Sequence, residues 1–267
     1  MWEATWCAEF TINWFRKFLF FAIYFNTLNK PDYHNHLQAN SEAQALSENA
    51  IITRLVATRK NYLLVKRSLD ILFSFVFIIL VLSWLLPIIA IWIKLDSKGP
   101  VFFSQKRTGR NGRIFRCLKF RTMIENDEAD EKPAERDDYR ITRAGRFLRR
   151  TNIDELPQFF NILTGSMSLV GPRPHMLSDC MRFSFVVSSY KFRNLVKPGI
   201  TGLAQTKGYI GPARDYESIM TRYYWDAVYV RKAWLWLDVK IIVKTISRSF
   251  KNFSLLFKAA SRKTAVE

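Results

Sequence analysis

Residues 71–93 read ILFSFVFIILVLSWLLPIIAIWI, and this run of 23 residues without a charged side chain decides the fold of the chain. A helix of that length extends about 35 Å, and the hydrocarbon core of a bilayer is about 30 Å thick. The run is therefore predicted to form a membrane helix. Pro87 lies inside it, where it removes the hydrogen bond to the carbonyl of Ser83 and clashes with the preceding turn. The Ser83 hydroxyl could satisfy the freed groups, so we expect the helix to break at Ser83 and Pro87.

Basic residues stand on both sides of this segment. Lys94 and Lys98 follow it, and five more precede it, namely Arg54, Arg59, Lys60, Lys66 and Arg67. Positive charge marks the cytoplasmic side of a membrane helix, so basic residues at both ends favour a helix that enters the bilayer and returns. Residues 71–82 alone would extend about 18 Å, roughly half of the bilayer core. A re-entrant helix is predicted, and a straight span is the alternative.

The composition indicates an anionic partner. The formal net charge is +18, from 41 basic and 23 acidic residues. Such an excess favours membrane phospholipid, nucleic acid or phosphorylated substrates. The long apolar run, and the lack of a helix-turn-helix, zinc or RNA-binding signature, argue against nucleic acid. The three cysteines are interpreted as free thiols, and His34 and His36, which could in principle bind a metal, as part of a solvated linker.

The N-terminal 60 residues are interpreted as an extension. Residues 10–28 are strongly aromatic but carry Arg16 and Lys17 near their middle, so an interfacial helix is favoured over a span. Residues 29–49 are polar and are interpreted as a linker. The main domain, including the membrane helix, is placed at residues 61–250, and residues 251–267 are interpreted as a basic tail.

The half of the chain after Lys94 is predicted to be α+β and mainly helical. Short apolar and alternating runs surround Gly109-Arg-Asn-Gly112, which is typical of a small β-hairpin. Residues 125–138 are rich in acid and are interpreted as an exposed loop or a frayed helix. Helical spacing predicts helices at residues 215–231 and 234–249. The arginine-rich residues 140–150 would form a helix that can lie against anionic lipid headgroups.

The segment Thr151-Asn-Ile-Asp-Glu-Leu-Pro-Gln-Phe-Phe-Asn161 carries the strongest chemical signal. Pro157 is tolerated only in a first helical turn, so a helix is expected to start between Ile153 and Leu156. A helix start presents free N–H groups that favour phosphate. A carboxylate there, beside arginines, can act on a phosphoryl group while its neighbour holds a metal ion. The alternative is that Asp154 and Glu155 merely cap the helix.

Six motifs in order carry a resemblance to a known family. They are Lys94-Leu-Asp-Ser-Lys-Gly-Pro-Val-Phe-Phe103, Gln105-Lys-Arg-Thr-Gly109, Lys119-Phe-Arg-Thr-Met123, Asp154-Glu-Leu-Pro-Gln158, Gly171-Pro-Arg-Pro174 and Lys197-Pro-Gly-Ile-Thr-Gly202. Together with the apolar run, residues 66–248 resemble the bacterial sugar transferases. These are monotopic polyprenyl-phosphate phosphoglycosyl transferases, which move a sugar phosphate from a nucleotide sugar to a lipid carrier.

The resemblance implies a fold, a reaction and roles for particular residues. A re-entrant helix would precede a small catalytic domain on the cytoplasmic face of the bacterial inner membrane. Asp154 would attack a UDP-sugar, and Glu155 would bind Mg²⁺. Arg149, Arg173, Lys119 and Arg121 would bind substrate. Polyprenyl (undecaprenyl) phosphate would accept the sugar phosphate and UMP would leave, as the first membrane step of exopolysaccharide, capsule or O-antigen synthesis.

Two positions depart from the family pattern. Ser83 is followed by Trp84 where a Ser-Pro pair commonly makes the helix break, and Ser166 stands where aspartate is common. The second departure keeps open a non-catalytic scaffold descended from the enzyme, although the Asp154-Glu155 pair is intact. His175, just after Gly-Pro-Arg-Pro174, is a further candidate for substrate contact. The sequence does not identify the sugar.

Overall fold

The structure is a computed structural model that describes residues 58–125, 138–211 and 215–264, together with the isolated positions 50 and 54. The predictions for residues 10–28, the linker, His34, His36 and most of the acidic loop lie outside these residues. The described part is mainly helical, as predicted. Its helices are α1 (Lys60–Phe77), α2 (Ser83–Asp96), α3 (Arg143–Thr151), α4 (Gln158–Leu163), α5 (Leu177–Val186), α6 (Leu203–Thr206), α7 (Tyr216–Lys232) and α8 (Leu235–Thr264). Its strands are β1 (Phe102–Thr108), β2 (Ile114–Phe120), β3 (Ser168–Val170) and β4 (Gly199–Thr201).

The predicted membrane helix extends beyond the apolar run. Helical backbone continues for 37 residues, from Lys60 to Asp96, and the described residues hold one segment long and apolar enough to cross a bilayer. The helix is not interrupted at Ser83 or Pro87, because both lie in α2 with helical backbone around them. The irregularity comes just before them, in a π-helical turn over Ile78–Leu82, and the Ser83 hydroxyl donates to the carbonyl of Ile79 at 2.5 Å. The re-entrant course stays a prediction.

Polar side chains of α1 hold the start of this helix against the domain. Asp238 of α8 accepts hydrogen bonds from the Tyr62 hydroxyl at 2.9 Å and from the Lys66 ammonium at 2.8 Å. Arg67 donates to two carbonyls at the end of α4, and Asp70 accepts from a backbone N–H of β3. All four of these side chains lie in the first three turns of α1. The apolar residues beyond them are largely exposed, as expected of a surface that faces lipid.

The predicted hairpin is confirmed. Strands β1 and β2 pair antiparallel, with Phe102 opposite Phe120 and Thr108 opposite Ile114. A short 3₁₀ turn joins them, and Asn111 and Gly112 take the left-handed conformation that closes it, with φ of 56° and 75°. The two strands bring the motifs at residues 105–109 and 119–123 onto one layer.

A two-stranded parallel pair joins the two glycine-containing motifs. Strands β3 and β4 pair Ser168 with Gly199 and Val170 with Thr201. A Cβ added at Gly199 would lie 2.1 Å from the backbone nitrogen of Gly171, so only glycine fits. Glycines in a turn-rich loop such as residues 197–202 can let a ligand approach the backbone closely. At Gly199 the close neighbour is instead the chain itself, at the loop that carries Arg173.

The arginine-rich segment forms α3. Thr142 caps its start by accepting from the N–H of Gly145 at 3.0 Å, and Asn152 ends it in the left-handed conformation. Asp96, the last residue of α2, accepts from the N–H of Ala144 at 2.9 Å, which ties the end of the membrane helix to the start of α3. The predicted helices near the C-terminus are confirmed as α7 and α8. Helix α8 runs on to Thr264, so much of the expected separate tail is helix.

Candidate active site

One cleft of about 810 Å³ gathers the predicted site residues. It lies between the hairpin, the turn after α3 and the loop that precedes α5. Its wall includes all six residues proposed for catalysis or substrate binding, namely Lys119, Arg121, Arg149, Asp154, Glu155 and Arg173. Motifs up to 54 residues apart in the sequence therefore meet at one site.

The acidic pair lies on a 3₁₀ turn rather than inside an α-helix. This turn, Ile153–Glu155, follows the left-handed Asn152, and α4 begins only at Gln158. An α-helix was expected to start between Ile153 and Leu156. The structure has a short 3₁₀ turn there, and α4 starts directly after Pro157. Both carboxylates are buried, with 8% and 9% of the residue exposed.

The two carboxylates have different partners. Glu155 accepts from the Lys119 ammonium at 2.7 Å and from two nitrogens of the Arg173 guanidinium at 2.5 and 3.1 Å. Asp154 has one ion pair among the described residues, a long one of 3.9 Å to Lys119. Glu155 is therefore surrounded by cations, whereas the Asp154 oxygens remain available to a substrate.

This difference separates the pKa values of the pair. Burial raises the pKa of Asp154 to about 6, although Lys119 opposes the shift, and the neighbouring Glu155 charge adds to it. Burial also acts to raise the pKa of Glu155, but Arg173 and Lys119 outweigh it and hold that pKa well below its usual range. Glu155 is thus a permanent anion that fixes two cations, and Asp154 is the group whose charge is easily changed. Carboxyl groups with separated pKa values are typical of sites in which each has its own role.

The other predicted cations are placed differently from one another. Arg149, on the last turn of α3, donates through Nε to the Thr122 hydroxyl at 2.8 Å, and burial lowers its pKa while the Asp154 charge raises it. Arg121 lines the cleft, but its terminal nitrogens donate to the carbonyls of Ser97 and Lys98. Its observed contacts therefore join β2 to the end of the membrane helix.

A buried ion pair behind the cleft was not predicted. Arg193 and Asp226 are both 2% exposed and lie 2.8 Å apart, and Arg193 also donates to the backbone carbonyl of Arg173 at 2.6 Å. The pair therefore steadies the loop whose side chain grips Glu155. The two residues are 33 positions apart, and no local pattern of the sequence links them.

The donors at the acidic pair fit Mg²⁺ in type. This ion takes one or two carboxylates together with waters and substrate phosphate oxygens, and Asp154 and Glu155 supply two adjacent carboxylates in a cleft. Among the described residues there is no larger group of metal-binding side chains. Because Glu155 already accepts from Lys119 and Arg173, a bound ion would share or replace those contacts.

A helix long and apolar enough to cross a membrane, a domain held against its first turns and a cationic cleft with two buried carboxylates accord with one known family. The family model described as bacterial sugar transferase matches residues 61–252, and the chain belongs to this family. The resemblance inferred from the six motifs is thereby confirmed.

Curated relatives share this region. The chain is 45% identical over 191 residues to a UDP-glucose:undecaprenyl-phosphate glucose-1-phosphate transferase of Klebsiella pneumoniae. The matched region covers 71% of this chain and 41% of the relative. It is 42% identical over 193 residues to a UDP-N-acetylgalactosamine-undecaprenyl-phosphate N-acetylgalactosaminephosphotransferase of Aeromonas hydrophila, covering 72% and 45%. An exopolysaccharide production protein of Rhizobium leguminosarum bv. phaseoli is 42% identical over 189 residues, covering 69% and 94%. The chain thus spans less than half of the first two relatives.

Proposed function

We propose that the protein transfers a sugar 1-phosphate from a UDP-sugar to polyprenyl (undecaprenyl) phosphate, through a covalent intermediate on Asp154. The observation that carries this proposal is the buried Asp154-Glu155 pair in a cleft whose charged side chains are eight basic and four acidic. A surplus of cations suits a substrate with two phosphates. The names of the relatives, which specify UDP-sugars and undecaprenyl phosphate, support it.

In the first half-reaction, a carboxylate oxygen of Asp154 attacks the β-phosphorus of the UDP-sugar. The bond from that phosphorus to the bridging oxygen breaks, UMP leaves with the bond electrons, and a sugar-phosphoryl aspartate remains. In the second half-reaction, an oxygen of polyprenyl phosphate attacks the same phosphorus and Asp154 leaves as a carboxylate. The product is a polyprenyl-diphosphate sugar. Two phosphate substrates using one nucleophile in turn is the pattern of covalent catalysis.

The geometry favours Asp154 over Glu155 as the nucleophile. Two cations hold Glu155 at 2.5 to 2.7 Å, and attack by its oxygens would break both contacts. Within the described ranges, Asp154 is restrained only by the 3.9 Å pair to Lys119. Burial also raises its pKa, so its carboxylate is less stabilised and more basic than an exposed one. Lys119 and Arg149 lie close enough to counter the charge that builds on the phosphoryl oxygens.

Glu155, with Asp154 beside it, would hold Mg²⁺. When bound, the ion supplies positive charge that offsets the charge of the substrate phosphates. We propose that Arg149, Arg173 and Lys119 bind the substrate phosphates. Arg121 also lines the cleft, although its terminal nitrogens donate to the carbonyls of Ser97 and Lys98.

We place the domain on the cytoplasmic face of the bacterial inner membrane, with the helix re-entrant. Nucleotide sugars are made in the cytoplasm, and the basic residues at both ends of the apolar run favour the same side. Exposed Trp234 and Trp236 at the start of α8, with Lys240 5.5 Å from the Trp236 ring, suit a surface that meets anionic headgroups. A role in the first membrane step of exopolysaccharide, capsule or O-antigen synthesis accords with the name of the Rhizobium relative.

The test is UMP release by purified protein given polyprenyl phosphate, Mg²⁺ and a panel of UDP-sugars. At least one sugar should release UMP, and Asp154→Asn should reduce the rate by several orders of magnitude because the covalent route disappears. Glu217→Gln removes an exposed carboxylate outside the cleft and should keep the full rate. If no UDP-sugar releases UMP, a non-catalytic scaffold becomes the better account. If Asp154→Asn releases UMP at a substantial rate, the nucleophile is wrongly assigned.

A further inference from the structure

The cleft contains cations that no carboxylate neutralises. Lys119 and Arg173 share Glu155, and Arg182 pairs with Asp179 at 3.4 Å. Arg107 and Arg222 also line the cleft, yet among the described residues neither forms an ion pair with a carboxylate. Arg222 is only 8% exposed, and its nearest acid, Asp226, is already held by Arg193.

The hydrogen bonds of these two guanidinium groups are incomplete. Arg107 donates to the carbonyl of Pro174 and to Gln105, and Arg222 donates to the carbonyl of Gly211 at 2.6 Å. In both residues the Nε atom is buried and has no hydrogen-bond partner in the part of the chain that the structure describes. A buried cation without a counter-ion is costly, and folding alone gives no reason to keep two of them in one wall. An anion in the cleft would provide the missing counter-charge.

His175 adds a neutral donor to the same wall. It is 4% exposed, and its Nδ1 is hydrogen bonded to the hydroxyl of Tyr190, which is itself buried. Among the described residues that nitrogen is the one partner of the hydroxyl, so the phenol proton is satisfied when Tyr190 donates to Nδ1. The imidazole proton then lies on Nε2, for which the described residues offer no partner. Burial, together with the charges of Arg193, Arg222 and Arg107, holds the pKa of His175 well below its usual range, so the ring is neutral.

We infer that Arg107, His175 and Arg222 form a second phosphate-binding subsite, which takes the phosphate monoester that leaves as UMP and is then replaced by polyprenyl phosphate. This inference rests on the proposed two-step reaction, because the leaving and the attacking phosphate must occupy the same side of the transferred phosphorus in turn. Two cations and one neutral N–H donor suit a dianionic phosphate. The subsite is distinct from the acidic pair, where Glu155 already holds Lys119 and Arg173.

The test measures binding rather than turnover. The full chain, in detergent or nanodiscs, is titrated by calorimetry with UMP, with uridine and with a short-chain isoprenyl phosphate. Arg222→Met keeps the length of the side chain without its charge, and His175→Ala removes the neutral donor. Each should weaken UMP binding about ten- to hundredfold, as expected for a hydrogen bond to a charged group. Lys191→Met, which removes an exposed charge outside the cleft, should leave binding unchanged.

The uridine and lipid arms identify the ligand. If the subsite holds phosphate, uridine binds equally to all variants. Weaker binding of both UMP and isoprenyl phosphate supports one shared subsite. Weakening of UMP alone, or of isoprenyl phosphate alone, supports a phosphate subsite but overturns the sharing. Unchanged binding of both phosphates, or an equal loss of uridine binding, overturns the proposal.

A stability measurement separates ligand binding from a structural role. Because Arg222 is buried without an ion pair, Arg222→Met should melt at the same or a higher temperature than the unmodified chain. If Arg222→Met does not fold, Arg222→Lys and His175→Gln decide the matter by the same titrations. UMP release by the unmodified chain is scored separately. If Arg222→Met weakens UMP binding but the unmodified chain shows no turnover, the subsite is supported and the proposed reaction is rejected. If the unmodified chain turns over but Arg222→Met binds UMP unchanged, the reaction is supported and the subsite is rejected.

Discussion

Replacing Asp154 by Asn should stabilise the folded protein at neutral pH while it abolishes turnover. The carboxyl is 8% exposed, and burial raises its pKa from an ordinary 3.8 to about 6. A shift of about two units corresponds to roughly 3 kcal/mol of preference for the protonated form. An ionised Asp154 therefore costs stability, and an uncharged amide of the same size removes that cost.

The sign of the pH dependence follows from the raised pKa of the folded state. The stability that a protonated Asp154 contributes is fully present below pH 3.8 and is lost as the pH rises through about 6. Asparagine does not titrate in this range. The advantage of Asp154→Asn should thus be small at pH 4.5 and should grow to at most about 3 kcal/mol at pH 8.

Thermal melts of the two proteins in one detergent, between pH 4.5 and 8, measure this difference. Glu217→Gln, which removes an exposed carboxylate, should show no comparable growth with pH. An Asp154→Asn protein that is less stable than its parent at pH 8 would refute the reasoning. So would a difference that stays constant across the range, because either result would mean that burial does not destabilise the Asp154 charge.

Three further predictions concern the metal, the loop and the membrane helix. Chelation of Mg²⁺ should abolish UMP release, and Glu155→Gln should lower both the rate and its dependence on Mg²⁺; full activity in excess chelator would remove Glu155 from this role. Asp226→Ala leaves the buried Arg193 without its partner and should destabilise the fold by about 3–5 kcal/mol, measurable as a lower melting temperature. Pro87 lies in continuous helix but leaves the carbonyl of Ser83 without a helical N–H donor. If this gap favours the re-entrant course, Pro87→Leu should move part of the population to a spanning orientation, seen by labelling single cysteines from outside intact cells; unchanged labelling would mean that Pro87 does not set the course of the helix.

Features that depend on local pattern could be predicted from the sequence. The apolar run, the Gly109–Gly112 turn and the periodicity of α7 and α8 each predict an element that the structure contains. The six site residues also converge as expected, because their motifs form short elements that meet at one cleft.

Features that depend on pairing across the fold could not be predicted. The contacts of the Arg121 terminal nitrogens with the carbonyls of Ser97 and Lys98, 24 and 23 positions away, join residues that no local pattern links, and substrate binding by Arg121 stays a prediction. The Arg193–Asp226 pair likewise forms because the 3₁₀ helix Tyr190–Leu195 packs on α7. Along the apolar helix, Pro87 predicted an irregular region, but the π-helical turn lies five to nine residues before it, at Ile78–Leu82. Such local relaxation depends on the hydrogen bonding of a whole helix rather than on one residue.

The most direct test of the central claim is a rapid-quench measurement with a competent UDP-sugar and no lipid acceptor. If Asp154 is the nucleophile, UMP should appear in a burst close to one equivalent per protein and then stop. The intact mass of the protein should increase by one sugar-phosphoryl group, located on the peptide that contains Asp154, and added polyprenyl phosphate should remove it. Glu217→Gln should behave like the unmodified chain, and Asp154→Asn should show neither burst nor adduct. UMP release that begins only when polyprenyl phosphate is present, with no mass increase at any time, would mean direct transfer and would contradict the account.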